Sequence, residues 1–542
     1  MSRILSLILL LVISGFSQAQ IESPPTTALE PLIQQLQTTK LRQMEPLVKQ
    51  IAGVKNPKTR TILQVMLEGD LYYVKANKQL VQAQKSENKL YTLTPIMSDE
   101  TLAAVKKSKI SKVKTNNRLR STIRSLIAKI NLTDDDKAIR LQAVQQLLNS
   151  PTKESTATIS ELIDNEQDKE VRELMSVTMA LQQLKDGEHS EKLAALAQLS
   201  DSLEPTVKNA TSELLSNLPK TDLSTEQQTL KTELLNTLDA IESQASFYGF
   251  IENVFFGLSL GSVLLLAAIG LAITFGVMGV INMAHGEMIM LGAYTTYVIQ
   301  IAFPSIIEYS LLIAIPAAFL VSGLVGILIE RGVIRFLKGR PLETLLATFG
   351  ISLILQQLVR TVFSPLNRQV ISPEWMSGSW QINPIFSLTY NRLYIILFSI
   401  MVFVSLLLIL KKTSLGLHVR AVSQNRDMAR ALSVKSDWVD AITFGLGSGI
   451  AGIAGVVLSQ LTNVGPNLGQ AYIIDSFLVV VFGGVGNLWG TLVAAMSLGL
   501  TNKFLEPVTG SVLANIIVLV GLVLFIQKRP KGLFPQKGRS AD

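Results

Sequence analysis

Residues 254–286 read VFFGLSLGSVLLLAAIGLAITFGVMGVINMAHG, a run without Asp, Glu, Lys or Arg. A hydrocarbon core about 30 Å thick is crossed by about 20 apolar residues at 1.5 Å rise each, so the run is long enough to span a bilayer. Its end is unlike a plain anchor, because Gly276, Gly279, Asn282, His285, Gly286 and Glu287 stand where Leu and Val would continue a helix. Backbone freed by a break at membrane depth is tolerated only when buried in protein or lining a wet cavity. That favours a transport pathway over a passive anchor.

Working outward, the 542 residues divide into unlike halves. Residues 20–245 are polar and charge-rich, whereas 250–530 are mostly apolar with charges confined to clusters. After the first run, apolar segments follow at 288–303, 311–329, 344–362, 393–410, 441–461, 473–486, 488–504 and 512–526. These give nine crossings, or seven plus a re-entrant hairpin that includes the short 473–486 segment. The expected fold is all-α: a polytopic transmembrane helical bundle with an exported N-terminal helical domain.

The net charge of +8 invites a nucleic-acid reading, but the basic residues fall in loops between apolar segments. Arg331, Arg335, Lys338 and Arg340 form one cluster; Lys411, Lys412, Arg420, Arg426, Arg430 and Lys435 a second; Lys528, Arg529, Lys531, Lys537 and Arg539 a tail over 531–542 and the residues just before it. Short loops on the cytoplasmic side accumulate Lys and Arg, so all three clusters are expected inside, and no nucleic-acid partner is expected. This topology places residues 20–245 on the side of the membrane away from the cytoplasm, as an exported segment.

Residues 1–19, MSRILSLILLLVISGFSQA, carry one early Arg, an apolar run and a small-x-small site before Gln20. The pattern is that of a secretory signal peptide, with an uncleaved anchor as the alternative. From 21 to 245 nearly all residues are helix formers with apolar spacing of three and four, and strand-like runs are few. Asp136 with Ile139-Arg140, Asp168 with Val171-Arg172 and Glu204 with Val207-Lys208 recur at separations of 32 and 36 residues. That period suits a HEAT-like solenoid of paired helices; a helical bundle without repeats is the alternative.

With no cysteine, disulfides, thiolate metal sites and Cys nucleophiles are excluded. No G-x-x-x-x-G-K-[ST] and no H-E-x-x-H occur, so the chain is not expected to hydrolyse a nucleotide by a P-loop, to hold a metal or cofactor, or to carry catalytic residues. The stretch 413–437, TSLGLHVRAVSQNRDMARALSVKSD, reads as a Gly followed by a short amphipathic helix. Ala421, Met428, Ala429, Ala431 and Leu432 are available for packing, and Arg420, Arg426 and Arg430 are expected to be exposed. Such a helix can dock on a soluble partner or lie on anionic membrane lipid.

Four ordered stretches carry a resemblance: GLSLGSVLLLAAIGLAITFGVMGVINMAHGEMIMLGAY (257–294), ATFGISLILQ (347–356), LGLHVRAVSQNRDMARALSV (415–434) and VFGGVGNLWGTLVAA (481–495). Together they resemble permeases of the ABC importers for branched-chain amino acids, over essentially all of 250–535. The long exported extension is similar to the urea-importing branch of that family. The resemblance implies a non-enzymatic permease that works with cytoplasmic ATP-binding subunits, an exported solute-binding protein and a second permease subunit.

Under that resemblance, 415–434 is the coupling helix on the ATPase, with Gly416, Arg420, Ala421, Arg426, Met428, Ala431 and Leu432 at the contact. Ser433 departs from the Gly usual there. Asn282, His285, Gly286 and Glu287 fall on the family's Asn-x-Ala-His-Gly-Glu stretch beside the translocation path. Asp475 stands where amino-acid members often have a basic residue, which suits a small neutral solute such as urea. Ionisable groups within spans usually face a bundle interior or a wet cavity, so Glu287 and Asp475 are pathway candidates, with helix capping and interface placement as alternatives. His285 either donates to a substrate carbonyl or ties the broken helix together. Gly483, Gly484 and Gly486, with Gly490, permit close helix approach or a non-helical turn beside the path.

Overall fold

The computed structural model describes residues 29–534 apart from 40, 55, 86–89, 97–101, 150 and 220–222. The leader expected at 1–19 and the tail residues 535–542 lie outside the described residues. Two compact units divide between Glu242 and Ser243.

In the first unit α1 (Leu29–Thr38), α2 (Met44–Ala52) and α3 (Pro57–Glu68) precede five strands: β1 (Leu71–Val74), β2 (Leu80–Lys85), β3 (Tyr91–Pro95), β4 (Leu102–Val105) and β5 (Ile110–Lys112). The strands pair antiparallel in the order β4-β3-β2-β1-β5, with Tyr72 opposite both Val81 and Lys112. One face buries Tyr72, Val81, Ala83, Leu93 and Ile110 together, while Leu71 and Leu80 on the other face join the core of α1–α3. The helical expectation for this unit missed the sheet.

Six helices follow: α4 (Asn117–Leu132), α5 (Lys137–Leu148), α6 (Lys153–Leu162), α7 (Lys169–Asp186), α8 (His189–Leu199) and α9 (Pro205–Asn217). The spacing of 32 and 36 residues is the spacing of helix N-caps. Asp136 caps α5 by accepting from Ala138 N–H, and Asp168 caps α7 by accepting from Glu170 and Val171 N–H. A cap of this kind supplies an acceptor to otherwise orphan amides and is worth about 1 kcal/mol. Glu204 holds the same position before α9, where Pro205 supplies the helical φ. Val171 and Val207 are fully buried, and α7 packs against both α5 and α9. Between the turns, Glu166 accepts from Arg140 Nε at 2.9 Å, and Lys137 pairs with Glu170 at 2.7 Å.

The second unit continues α10 (Thr225–Met278) into α11 (His285–Ala302), α12 (Ser310–Gly332), α13 (Pro341–Phe363), α14 (Tyr390–Lys412), α15 (Ser414–Gln424), α16 (Arg426–Ala431), α17 (Ser436–Ser459), α18 (Leu468–Gly483), α19 (Leu488–Thr509) and α20 (Ser511–Lys528). Seven of the nine apolar runs each coincide with most of one helix, the first run, 254–286, breaks between α10 and α11, and the 473–486 run ends past Gly483 in the turn to α19. Six helices among the described residues are long and apolar enough to cross a membrane: α10, the segment Pro304–Gly332 that contains α12, α13, α14, α17 and α20. The apolar windows of α17 and α10 are mostly buried, whereas those of α14 and α20 are 22% and 11% buried, so α17 and α10 are central and α14 and α20 present apolar faces outward.

Small residues let α11 and α12 approach α17 closely: a Cβ on Gly292 would stand 2.0 Å from the Gly452 carbonyl oxygen. Without an apolar-to-water gradient between helices in lipid, close backbone approach of this kind supplies the packing. The segment between α13 and α14 folds into a hairpin of β6 (Ser379–Asn383) and β7 (Phe386–Thr389). Gln300 at the end of α11 holds this segment by donating to Ile371 O and accepting from Ile371 N–H at 2.8 and 2.9 Å.

Candidate functional site

The organising run breaks at its Gly and Asn residues. α10 stops at Met278, and Gly279 takes φ +65°, a left-handed conformation that closes helix ends with little strain only for Gly. Asn282 turns the chain into α11 by accepting from Ala284 N–H at 3.0 Å. Thr348 Oγ1 accepts from Met283 N–H at 3.1 Å, so α13 satisfies an amide that the break leaves open.

Three consecutive residues then face three different helices. His285 is fully buried and turns to α10, where its Nε2–H donates to Ala267 O at 2.9 Å. A carbonyl only accepts, so the proton sits on Nε2 and Nδ1 is an acceptor, buried and without a partner. Gly286 turns to α18, where a Cβ would stand 2.6 Å from Gly469 O. Glu287 turns to α13 and is 1% exposed. Ser352 Oγ and Gln356 Nε2 both donate to its Oε1, at 2.9 and 2.7 Å. Its Oε2 is buried with no partner. The neighbours in sequence are therefore not neighbours in chemistry, and His285 is a tie between α10 and α11.

The partners of Glu287 belong to a stripe that the sequence reading did not single out. Thr344, Thr348, Ser352 and Gln356 recur every four residues on α13 and are all buried. Spacing of four places side chains on one helix face. In an otherwise apolar span, that spacing was the available signal.

Beside the break lies a cleft of about 100 Å³ lined by Leu271, Ile281, Asn282, Met283, Ile473, Ile474 and Phe477. Asn282 is its polar contributor, 1% exposed, with Nδ2 buried and unpartnered. Asp475 follows Ile474 on α18 but is exposed on the isolated chain, and among the described residues it has no hydrogen bond or ion pair. Gly483, Gly484 and Gly486 are not among the cleft residues; they shape the turn from α18 to α19. A Cβ on Gly483 would stand 2.5 Å from Gly490 O, Gly484 and Gly486 take φ +100° and +79°, and a Cβ on Gly276 of α10 would stand 2.5 Å from Gly486 Cα.

The second constellation is the loop 413–435. It forms two helices where one was expected, because Asn425 leaves the helical region and caps α16 by accepting from Met428 N–H at 3.0 Å. Gly416 is buried, and a Cβ there would stand 2.0 Å from Leu410 O. Arg420 is exposed and donates to the same carbonyl, while Ala421 is half-buried against α17's cluster. Met428, Ala431 and Leu432 are exposed, leaving an apolar face uncovered. Ser433 takes φ +66°, a left-handed position.

Arg426, expected to be exposed, instead reaches back to Asp440 of α17. Its Nη1 and Nη2 donate to both carboxylate oxygens at 2.7 and 3.0 Å. Lys338 donates to the same Asp440 at 2.6 Å and to Asp437 at 3.1 Å, and Arg430 Nε donates to Ser436 Oγ at 2.8 Å. Asp440 is fully buried, as is Glu330 at the end of α12, which lies 3.9 Å from Lys338. A bidentate guanidinium on a carboxylate is a geometrically specific contact as well as a strong one.

Residues 253–527, half of the chain, match the family described as branched-chain amino acid transport system, permease component. The chain is 28% identical over 297 residues to the high-affinity branched-chain amino acid transport system permease protein BraD of Pseudomonas aeruginosa, covering 53% of this chain and 96% of that protein. Identity to the LivH permease protein of the corresponding Escherichia coli system is also 28%, over the same shares of each chain. The ribose import permease protein RbsC of Escherichia coli is 27% identical over 285 residues, 51% of this chain and 84% of that protein. No solved structure matches. The chain belongs to the branched-chain amino acid permease family of ABC importers, as a multi-pass membrane transport component.

Proposed function

We propose that this chain is the permease subunit of an importer for urea, driven by ATP hydrolysis on separate cytoplasmic subunits. The observation that carries the substrate is the cleft at the helix break. Its volume of about 100 Å³ suits a solute the size of a few waters, and no charged side chain lines it. A zwitterionic amino acid would bring an ammonium and a carboxylate, each costly to desolvate without a partner. Urea brings a carbonyl that accepts from the open Asn282 Nδ2, and its N–H groups suit the unpartnered Glu287 Oε2, which lies outside the cleft lining and is met farther along the proposed path. A second reading, a branched-chain amino-acid permease, is favoured by the family description and by the names of the relatives.

The remaining parts of the reading follow the same division of labour. Residues 1–19 act as a leader, 20–245 form an exported domain in the periplasm, and 250–530 form the permease with nine crossings, or seven and a re-entrant hairpin. Stacking of α5, α7 and α9 supports a HEAT-like array that offers an extended surface to the solute-binding protein or to a second permease subunit. The exposed face of Met428, Ala431 and Leu432 supports docking of an ATP-binding subunit on α16.

The test is uptake of radiolabelled urea and of leucine in cells carrying or lacking the chain, with its partner subunits present. Chain-dependent urea uptake, lost in Asn282→Ala, is the expected result. Leucine uptake without urea uptake favours the second reading.

A further inference from the structure

We infer that Asp440 is a positioning residue that transmits displacement of α16 to the broken turn, through Lys338 and the length of α13. The inference rests on the reading of α16 as the contact with an ATP-driven partner. Three segments converge on one buried carboxylate: α16 through Arg426, the adjacent α17 through Asp440 itself, and, about one hundred residues earlier in the chain, the link before α13 through Lys338.

That link is fastened to α13. Thr344 Oγ1 donates to Leu337 O and Arg340 O at 3.2 and 2.9 Å, and Thr344 N–H to Arg340 O at 3.0 Å. From there one continuous helix runs to Gln356, about 22 Å from Pro341 at 1.5 Å per residue. Along its middle Thr348, Ser352 and Gln356 hold Met283 and Glu287 on either side of the α11 N-terminus. Between Lys338 and α13 stands Gly339 at φ +81°, and the Thr344 bonds to Leu337 O and Arg340 O fasten the link on both sides of it, so a shift at Lys338 reaches the break along one packed helix.

A buried ion pair is weak evidence for stability, because desolvation offsets most of the attraction; fixing one arrangement is the better-supported use. Physical evidence for a coupling route requires an element whose equilibrium both ends bias. Here the α16–α17–α13 junction is the rigid body that carries the shift, and the broken turn at its other end is the element that it biases.

The experiment uses the assembled complex in proteoliposomes, with Lys338→Gln, Arg426→Gln and the double variant. Each single variant should keep at least half of the native ATP hydrolysis while uptake per ATP falls about tenfold, and the double should be no worse than either single, as for residues on one route. Unchanged uptake per ATP, a parallel fall in both rates, or multiplied losses in the double would overturn the inference.

A second readout uses the absence of cysteine. Spin labels at Asp427→Cys on α16 and Leu342→Cys in the first turn of α13, both exposed, should keep one separation with and without ATP in the native background and lose it in Lys338→Gln. A native separation that changes with ATP contradicts the inference. If the complex moves leucine and not urea, the substrate reading fails while uptake per ATP, measured with leucine, still judges the route. If it hydrolyses ATP and moves neither, the label separation judges it alone.

Discussion

Asp440 and Glu287 are both carboxylates buried in the second unit, and their surroundings are opposites. Asp440 receives a guanidinium on both oxygens and an ammonium on one of them. Glu287 receives two neutral donors on one oxygen and nothing on the other. A buried polar network that is complete holds a structure in one arrangement; one that stops an atom short carries a cost of desolvation with no return inside the chain. On the proposed reading the difference separates a joint from a site, and each substitution presses on one side of it.

The largest effect belongs to the joint. Asp440→Ala leaves Arg426 and Lys338 without their shared counter-charge and should cost about 4 kcal/mol of stability. Glu287→Gln keeps an oxygen for Ser352 and Gln356 and should cost less than about 1 kcal/mol, while urea uptake falls at least about tenfold. Thermal unfolding of the detergent-solubilised chain, beside uptake in cells, checks both. Equal destabilisation by the two variants would erase the contrast.

Packing around the break is next. A Cβ on Gly469 would stand 2.0 Å from Gly286 O, so Gly469→Ala should cost about 3 kcal/mol by overpacking. Glu166 offers a third buried carboxylate, in the first unit, and it is completed like Asp440. Burial pushes its carboxyl up, but the Asp168 N–H and the Arg140 guanidinium outweigh that and hold it below the ordinary value of 4.5. Its contribution is therefore present above about pH 4.5 and lost as pH falls through the lower folded value. Glu166→Gln should cost about 2 kcal/mol at pH 7 and flatten the acid limb of a melting-temperature profile. The smallest effect is a gain: Ser433→Gly relieves a left-handed serine and should stabilise by about 1 kcal/mol, read from the same melts.

Much of this architecture is legible in the sequence, for physical reasons that also mark where reading stops. Apolar runs report membrane helices because lipid forbids most alternatives, and the break at Gly279–Asn282 shows because those residues interrupt a run that otherwise has no reason to change. Repeated Asp and Glu caps show because caps are local. The sheet over Leu71–Lys112 did not show: its strands are three to six residues long and set among lysines, too short for alternation to stand out from helical spacing. The rule that singles out Glu287 and Asp475 applies equally to Asp440 and Glu330, which end apolar runs and so read as loop charges. Which of these carboxylates share partners depends on residues about one hundred positions away, Lys338 for Asp440 and sixty-five or more for Glu287, and no local pattern records that.

The central claim, that solute passes the break beside Asn282, is tested most directly by placing the chain's sole cysteine at Met283, which lines the cleft. In the assembled transporter a membrane-impermeant thiol reagent should modify Met283→Cys, and urea should slow the modification while leucine leaves it unchanged. A cysteine there that never reacts with or without ATP, or one that leucine protects and urea does not, would contradict the account.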